Sequence, residues 1–208
     1  NLNRTALSPK QSEFIEIMKI SSSNLKNIVD DVLDFSKIEA KKLDISLTDF
    51  NLLKLITQSI DQYKPIAEEK GISLTYDLDK TINTCFNSDN LKIKQILNNL
   101  ISNAIKFTNK GEVSLKVKLI EQKVNTAIVK FSVSDTGIGI RIDDKNLIFE
   151  SFKQLDSSTE KQYQGTGLGL TIARELTEML GGEIYFESEI GKGSTFSFQL
   201  PLTIAIKS

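Results

Sequence analysis

The chain of 208 residues contains no histidine and a single cysteine, Cys85. Without histidine, Ser-His-Asp and Cys-His catalysis are excluded, as are metal sites that depend on imidazole. A mechanism that stores a phosphoryl group on a histidine of this chain is excluded as well. One cysteine cannot form a disulfide within the chain, so a reducing compartment is the simpler interpretation.

Long apolar runs and an excess of either charge are also missing. No segment is long enough to cross a bilayer and no cleavable signal begins the chain, so we expect a soluble, cytoplasmic piece, which a membrane-anchored parent protein could still contain. The 26 basic residues nearly balance the 27 acidic ones. A nucleic-acid binder would carry a basic surplus on one face, and we therefore expect no nucleic-acid partner.

The first forty residues have the pattern of one long amphipathic helix. Ser8 is a favourable N-cap, and the pattern continues to about Lys42. Apolar positions recur at spacings of four and three, typical of a helical bundle, at Phe14, Met18, Ser21, Leu25, Ile28, Val32 and Phe35. One helix cannot bury this stripe alone. We expect the missing half of a hairpin, a second copy contacting residues 12–40, or both to cover it.

After about residue 44 the pattern changes to a mixture of strands and helices. Alternating apolar residues predict strands at 43–47, 72–78, 112–120, 127–135, 183–189 and 194–200, and 3.6-residue periodicity predicts helices at 50–70, 89–107 and 168–180. Pro65 should kink the first of these helices, and Gly71 suits its C-terminal end. The predicted fold is α+β: a two-layer sandwich of about five strands with three helices on one face, preceded by one long bundle helix.

One face of the predicted helix 89–107 is polar. Gln95, Asn99, Asn103 and Lys106 share it. A solvated stripe is the simpler interpretation, but asparagine is a poor helix former and a solvated face would more often carry Glu, Lys or Gln. Amide oxygens can ligate Mg²⁺, and a lysine beside them can contact phosphate oxygens.

Two glycine-rich segments follow at the ends of predicted elements. Asp135-Thr136-Gly137-Ile138-Gly139-Ile140 comes directly after a strand, where the carboxylate could accept a hydrogen bond from the amino group of adenine. Gly165-Thr166-Gly167-Leu168-Gly169 opens a helix, a position that favours anions. Ordinary glycine turns would explain each segment alone, and neither matches a P-loop or a dinucleotide fingerprint.

In this order and spacing, these segments resemble the catalytic domain of sensor histidine kinases, within the superfamily of gyrase-like, chaperone-like and mismatch-repair ATPases. Residues 100–108 resemble the N box, 135–140 the first glycine box, 149–152 the F box and 165–170 the second glycine box. Residues 191–196 resemble the closing turn and strand. Residues 35–40 resemble the second helix of the dimerisation and histidine-phosphotransfer hairpin. The resemblance covers about 9–202 and implies two domains, a partial hairpin at 1–43 and an ATP-binding catalytic domain at 44–208.

The resemblance also implies a role for each matching position. Asn103 would ligate Mg²⁺, Asn99 and Lys106 would be the catalytic positions, and Phe107 would flank the nucleotide. Residues 141–166 would form a lid over ATP. Adenine recognition would involve Asp135, Gly137, Ile138, Gly139, Ile140 and, through a water, Thr195. The phosphates would lie against Gly165, Thr166, Gly167, Leu168 and Gly169. Lys153 and Gln154 stand where many members place an arginine for the γ-phosphate, and Lys161 is a further basic candidate. Lysines merely solvated on a loop fit the sequence equally well.

Two departures from the family pattern define the expected activity. ATP-hydrolysing relatives have a glutamate where this chain has Asn99, and a neutral amide is a poor general base. We therefore expect weak hydrolysis and transfer of the γ-phosphoryl to a protein histidine. The helix that would carry this histidine is missing, most simply because the chain was cut from a longer protein, less simply because the acceptor was lost. The chain alone is therefore expected to be inactive in autophosphorylation.

The implied partners are the histidine-bearing hairpin helix and the receiver domain of a response regulator. Two other functions fit the same residues. In the first, ATP binding only gates contacts with partners and no phosphoryl group is transferred. In the second, the chain is a phosphatase or docking fragment whose first helix recruits a response regulator.

Overall fold

The computed structural model describes residues 8–40, 42–82, 85–141, 144, 147–150 and 167–205. The chain divides into two compact units, Asn1–Lys42 and Leu43–Ser208. Within the described ranges, no helix combines the length and the apolar character needed to cross a membrane.

The first unit contains one helix, α1 (Pro9–Glu39). Its start is fixed by a capping box, in which the Ser8 hydroxyl accepts a hydrogen bond from the Gln11 N–H and the Gln11 side chain accepts one from the Ser8 N–H. The predicted helix is present and ends three residues earlier than expected. Five apolar side chains of the predicted stripe are more than 40% exposed, namely Phe14, Met18, Leu25, Ile28 and Val32.

The second unit contains seven strands and three helices among the described residues. In chain order these are β1 (Thr48–Asn51), α2 (Leu52–Glu69), β2 (Ile72–Leu78), β3 (Cys85–Ser88), α3 (Asn90–Phe107), β4 (Gly111–Gln122), β5 (Thr126–Asp135), α4 (Gly169–Met179), β6 (Glu183–Glu189) and β7 (Gly193–Ile204). They form one sheet in the order β1-β3-β7-β5-β4-β2, and β6 also pairs with β7. Only β2 and β4 are parallel neighbours.

The core lies between the sheet and the helical layer. Alternate residues of β4 and β5 point inward and are buried, as the two-residue period of a strand requires, and α3 covers these strands between α2 and α4. Phe131 of β5 stacks on Phe198 of β7 with ring centroids 4.6 Å apart. Each fully buried large apolar side chain contributes about 1.5–3 kcal/mol to stability. This packing fixes the ends of α3, β5 and α4, where the predicted functional residues lie.

The α+β fold class with helices on one face is confirmed, but the sheet has seven strands rather than about five. The predicted strand at 43–47 is wrong, because this segment is irregular and the first strand begins at Thr48. Ile45 and Leu47 are exposed, so their alternation with polar residues reflects no buried face. The strand β3 was missed, since four residues are too few to establish a two-residue period.

Candidate functional site

The helix α3 presents two asparagines toward the start of α4. Asp89 caps α3 by accepting a 3.1 Å hydrogen bond from the Lys92 N–H, and the apolar face of the helix is buried in the core. Asn99 and Asn103 lie half-buried on another face. A Cβ built on Gly169 would lie 3.8 Å from Asn99 Oδ1 and 3.9 Å from Asn103 Nδ2. The first residue of α4 therefore faces both amides.

Among the described residues, no side chain caps the N-terminus of α4. Ser8, Asn51 and Asp89 cap the other three helices, whereas Leu168 at the N-cap of α4 is buried and makes no side-chain cap hydrogen bond. The first N–H groups of a helix lack intrahelical partners, and the helix dipole makes this end positive. Gly167 has a positive φ of 70° immediately before it. The result is an end suited to an anion, beside Asn99 and Asn103.

Two polar atoms of neighbouring asparagines are buried without a partner. Within the described residues, Asn98 Oδ1 and Asn99 Nδ2 make no hydrogen bond. Leaving such an atom unsatisfied costs about 1–3 kcal/mol. An asparagine held in this way is expected where a ligand supplies the missing partner. Asn99 lies on the α3 face predicted to bind a ligand, whereas Asn98 does not.

Asp135 lies at the end of β5, and backbone groups hold its carboxylate. Its Oδ1 accepts hydrogen bonds from the Gly137 N–H at 2.8 Å and from the Ser194 N–H at 3.2 Å. Burial raises the pKa of the Asp135 carboxyl above its usual value, against the opposing effect of these two hydrogen bonds. Among the described residues both bonds end on Oδ1. The other oxygen, Oδ2, can therefore accept a hydrogen bond from a ligand amino group.

The loop after Asp135 is held between two other backbone segments. The Ile138 N–H donates to the Phe107 carbonyl at 3.4 Å, and the Gly191 N–H donates to the Ile138 carbonyl at 2.9 Å. A Cβ on Gly137 would collide with the Phe107 carbonyl oxygen, and one on Gly139 would collide with the Glu189 carbonyl oxygen. Sequence analysis predicted that Gly137 and Gly139 leave room for a ligand; the structure shows that backbone packing requires them.

Ser194, which the sequence interpretation missed, lies beside Asp135, because these residues are paired in the register of β5 and β7. Thr195 points to the other face of the sheet, where its hydroxyl is 2.9 Å from the Ser134 hydroxyl. Both residues border an open cleft of about 310 Å³ that Asp135 also lines. Ser194 reaches Asp135 through its backbone N–H, and its hydroxyl is 3.0 Å from the Ser188 hydroxyl. The register sets this contact, and a Gly-Ser-Thr sequence carries no such signal.

The end of α3 adjoins the loop at 136–140. The Lys106 ammonium lies 4.8 Å from the centroid of the Phe107 ring, and both side chains are half-buried. The structure therefore brings together α3, the Asp135 loop and the start of α4. Five predicted site residues lie outside the described residues, namely Lys153, Gln154, Lys161, Gly165 and Thr166.

Phe149 of the predicted F box is packed against α4 and the sheet. Its ring makes edge contacts with Phe186 and Phe196 at centroid distances of 5.9 and 6.4 Å. Its carbonyl accepts a 3.1 Å hydrogen bond from the Thr171 hydroxyl, and the Arg174 guanidinium lies 5.8 Å from the ring centroid. Phe149, which lies within the predicted lid at 141–166, is therefore anchored against α4, the helix whose N-terminus faces Asn99 and Asn103.

Comparison with known proteins agrees with this arrangement. The family model for histidine kinase-, DNA gyrase B- and HSP90-like ATPases matches residues 88–204, more than half of the chain. The chain therefore belongs to this family of ATPases, and the resemblance to sensor histidine kinases is confirmed.

Individual relatives are similar over nearly all of the chain. It is 44% identical over 203 residues to hybrid signal transduction histidine kinase B of Dictyostelium discoideum, covering 98% of this chain and 10% of that protein. It is 40% identical over 206 residues to the autoinducer 2 sensor kinase/phosphatase LuxQ of Vibrio cholerae serotype O1, and the match covers 99% of this chain and 24% of that protein. Among solved structures, the crystal structure of full-length ShkA in complex with AMPPNP is similar to this chain, with 32% sequence identity and a TM-score of 0.81. The match covers 99% of this chain and 42% of the ShkA chain. The chain thus spans less than half of the length of each of these relatives.

Proposed function

We propose that the chain is the ATP-binding catalytic part of a two-component histidine kinase, and that it transfers the γ-phosphoryl of ATP to a histidine outside this chain. The observation that carries this proposal is the N-terminus of α4, which faces Asn99 and Asn103 and whose N-cap residue Leu168 has no capping side chain. This arrangement joins an anion-binding helix end to amide oxygens that suit a divalent cation. The similarity to histidine kinases along almost the whole chain supports it.

The nucleotide would lie between the Asp135 loop and α4. Asp135 Oδ2 would accept a hydrogen bond from the amino group of adenine, while Gly137, Ile138, Gly139 and Ile140 line the base and Phe107 flanks it. The N–H groups at Gly167, Leu168 and Gly169 would hold the phosphates, with Gly165 and Thr166 before them. Lys153, Gln154 and Lys161 would meet the γ-phosphate from the lid. The AMPPNP in the ShkA crystal structure supports a nucleotide here.

The donor set fits Mg²⁺ held jointly by the protein and the phosphates. Mg²⁺ prefers hard oxygen ligands and usually takes only one or two from the protein. The amide oxygen of Asn103 would supply such a ligand. Asn99 lies on the same helix face, and its Nδ2, which makes no hydrogen bond among the described residues, could donate to a phosphate oxygen. Bound Mg²⁺ neutralises charge on the transferring phosphoryl group. Lys106 would add positive charge at the phosphates.

Transfer is favoured over hydrolysis by the identity of residue 99. An amide cannot take a proton from water effectively, whereas phosphoryl transfer depends mainly on positioning and charge neutralisation. The acceptor would be a histidine on the preceding hairpin helix, and a response regulator receiver domain would be the next acceptor. Residues 1–43 would be the remaining hairpin helix and residues 44–208 the catalytic domain. The exposed stripe of α1 would pack in a homodimer.

The alternative function is an ATP-binding regulatory module without transfer. It shares the same nucleotide site and differs only in the fate of the γ-phosphoryl. Occupancy of the site by ATP would then change contacts with partners, and a histidine-bearing hairpin would stay unlabelled.

Titration calorimetry with AMPPNP, in Mg²⁺ and in EDTA, tests the site. The wild-type chain should bind at least about tenfold more tightly with Mg²⁺. Asn103→Ala removes the proposed ligand and should abolish this difference, whereas Asn125→Ala, in the exposed β4–β5 hairpin, should retain it. An Asn103→Ala chain with the wild-type response to Mg²⁺ would contradict the assignment.

A further inference from the structure

Each of the C-terminal carbonyl groups of α3 accepts a hydrogen bond, and only that of Ala104 receives one from the following turn of the helix itself. The Ala104 carbonyl accepts from the Thr108 N–H at 3.1 Å and from the Thr108 hydroxyl at 2.7 Å. The Phe107 carbonyl accepts from the Ile138 N–H. The three remaining carbonyls, of Ile105, Lys106 and Thr108, lie 2.7, 3.2 and 3.3 Å from the Lys70 ammonium.

Lys70 reaches this position from the end of another helix. It is the C-cap of α2, and Gly71, with a φ of 69°, turns the chain into β2 directly after it. An ammonium has three N–H donors and is attracted to the negative end of a helix dipole, so it can serve three carbonyls at once. Partial burial lowers the pKa of the Lys70 ammonium below its ordinary value.

The clamped turn carries groups of the candidate site on two sides. Lys106 and Phe107 are its last residues, and the Phe107 carbonyl anchors the loop that follows Asp135. Gly137 approaches the same carbonyl so closely that a Cβ would not fit. A rotation of the last turn would therefore move the Lys106 ammonium, the Phe107 ring and the loop together.

We infer that Lys70 is a positioning residue for nucleotide binding, which holds the last turn of α3 so that Lys106, Phe107 and the 136–140 loop meet the ligand in one arrangement. This inference rests on the proposed function, since it treats these groups as the nucleotide contacts. Lys70 itself contacts no ligand in this account. It affects affinity by holding the carbonyl groups at the end of α3.

Affinity for Mg²⁺-AMPPNP, measured at a temperature where all variants are folded, tests the inference. Lys70→Met removes the ammonium and should weaken binding about tenfold, or about 1.4 kcal/mol. Lys70→Arg keeps a cation and should recover most of the loss. Lys64→Met, an exposed lysine on the same helix, is the matched control and should bind within about twofold of the wild type. Lys70→Gln keeps a hydrogen-bond donor without the charge, so its affinity should lie between those of Lys70→Met and the wild type. It replaces the methionine variant if that variant does not fold.

A double-mutant cycle with Lys106→Met separates positioning from a general loss of stability. Because Lys70 would position Lys106 together with Phe107 and the loop, the effect of Lys70→Met on affinity should be partly lost in the Lys106→Met background. Additive effects, or a Lys70→Met chain that melts earlier but binds normally, would overturn the inference.

Hydrogen exchange without nucleotide keeps this test independent of the proposed function. The Ile138 amide should exchange faster in Lys70→Met than in the wild type and Lys64→Met, because its acceptor is no longer held. Unchanged exchange at Ile138 would also overturn the inference. Failure of the wild-type chain to bind Mg²⁺-AMPPNP would instead reject the proposed function.

Discussion

The Ser194 N–H donates a 3.2 Å hydrogen bond to Asp135 Oδ1, which also accepts the Gly137 N–H at 2.8 Å. These bonds orient the carboxylate at the meeting point of β5, β7 and the loop that follows β5. Because both bonds end on the same oxygen, the part of the chain that the structure describes fixes the carboxylate without using Oδ2. A fixed acceptor of this kind selects a ligand with a donor at one position, as adenine has in its amino group.

Asp135→Asn should reverse the hydrogen-bond preference at that position. An asparagine can still accept the two backbone bonds through Oδ1, but its NH₂ group then faces the amino group of adenine, so two donors meet. Binding of Mg²⁺-ATP should weaken at least about tenfold, and the preference for ATP over GTP should shrink. Competition binding with both nucleotides measures this. Asp61→Asn, on the exposed surface of α2, is the control and should keep the wild-type preference.

The raised pKa of Asp135 predicts a pH-dependent stability. A carboxyl whose pKa is raised in the folded state stabilises the fold while it is protonated, and this contribution is lost as pH rises from the unfolded value through the raised folded value. The Asp135→Asn variant does not titrate there. Without nucleotide, it should therefore melt higher than the wild type near pH 7, and the difference should shrink toward pH 4. A melting difference that grows as the pH falls would contradict the assigned direction.

Gly139 and Gly191 form a matched pair for the loop. Both have positive φ, 70° and 75°, but a Cβ on Gly139 would meet the Glu189 backbone, whereas one on Gly191 would meet nothing within 4 Å. Gly191→Ala should cost only the backbone strain, about 1 kcal/mol, and keep nucleotide affinity. Gly139→Ala adds a collision, so it should destabilise the fold further and weaken nucleotide binding. Thermal melting and calorimetry measure the two effects, and equal behaviour of the two variants would show that the close approach is unimportant.

Asn99→Glu tests why the chain is expected to hydrolyse ATP poorly. The substitution supplies a carboxylate that can act as a general base toward water, so ATP hydrolysis without an acceptor should rise above the wild-type rate by about tenfold or more. Asn99→Gln lengthens the side chain equally without adding a base and should not raise the rate. Release of inorganic phosphate from ATP is the measurement. A wild-type chain that already hydrolyses ATP as fast as Asn99→Glu would remove the basis for assigning transfer.

Much of the fold could be predicted because the longer elements carry full periodic signals. The helix α3 begins after a capping Asp89 and has five turns of apolar periodicity, so its two ends were found within one residue. The strands β1 and β3 contain four residues each and were misplaced or missed. Their pairing depends on contacts distant in sequence, such as Phe50 beside Phe86.

The candidate site was predictable as a set of segments and not as a set of contacts. The order and spacing of the segments that contain Asn99, Asn103, Asp135 and the second glycine segment carried the resemblance to the family. Each of these segments can be recognised from neighbouring residues in the sequence. The sheet register places Ser194 rather than Thr195 opposite Asp135. Lys70 contacts the end of α3, which is distant in sequence. Neither contact produces a local pattern in the sequence.

The most direct test of the central claim is phosphoryl transfer in trans. The chain is mixed with γ-labelled Mg²⁺-ATP and a separate histidine-bearing hairpin from a related kinase, and the label on the hairpin is measured before and after acid. The account predicts acid-labile label on the hairpin with the wild-type chain, and none with the Asn103→Ala chain. Tight ATP binding with no label on the hairpin would contradict the kinase assignment and favour the regulatory module.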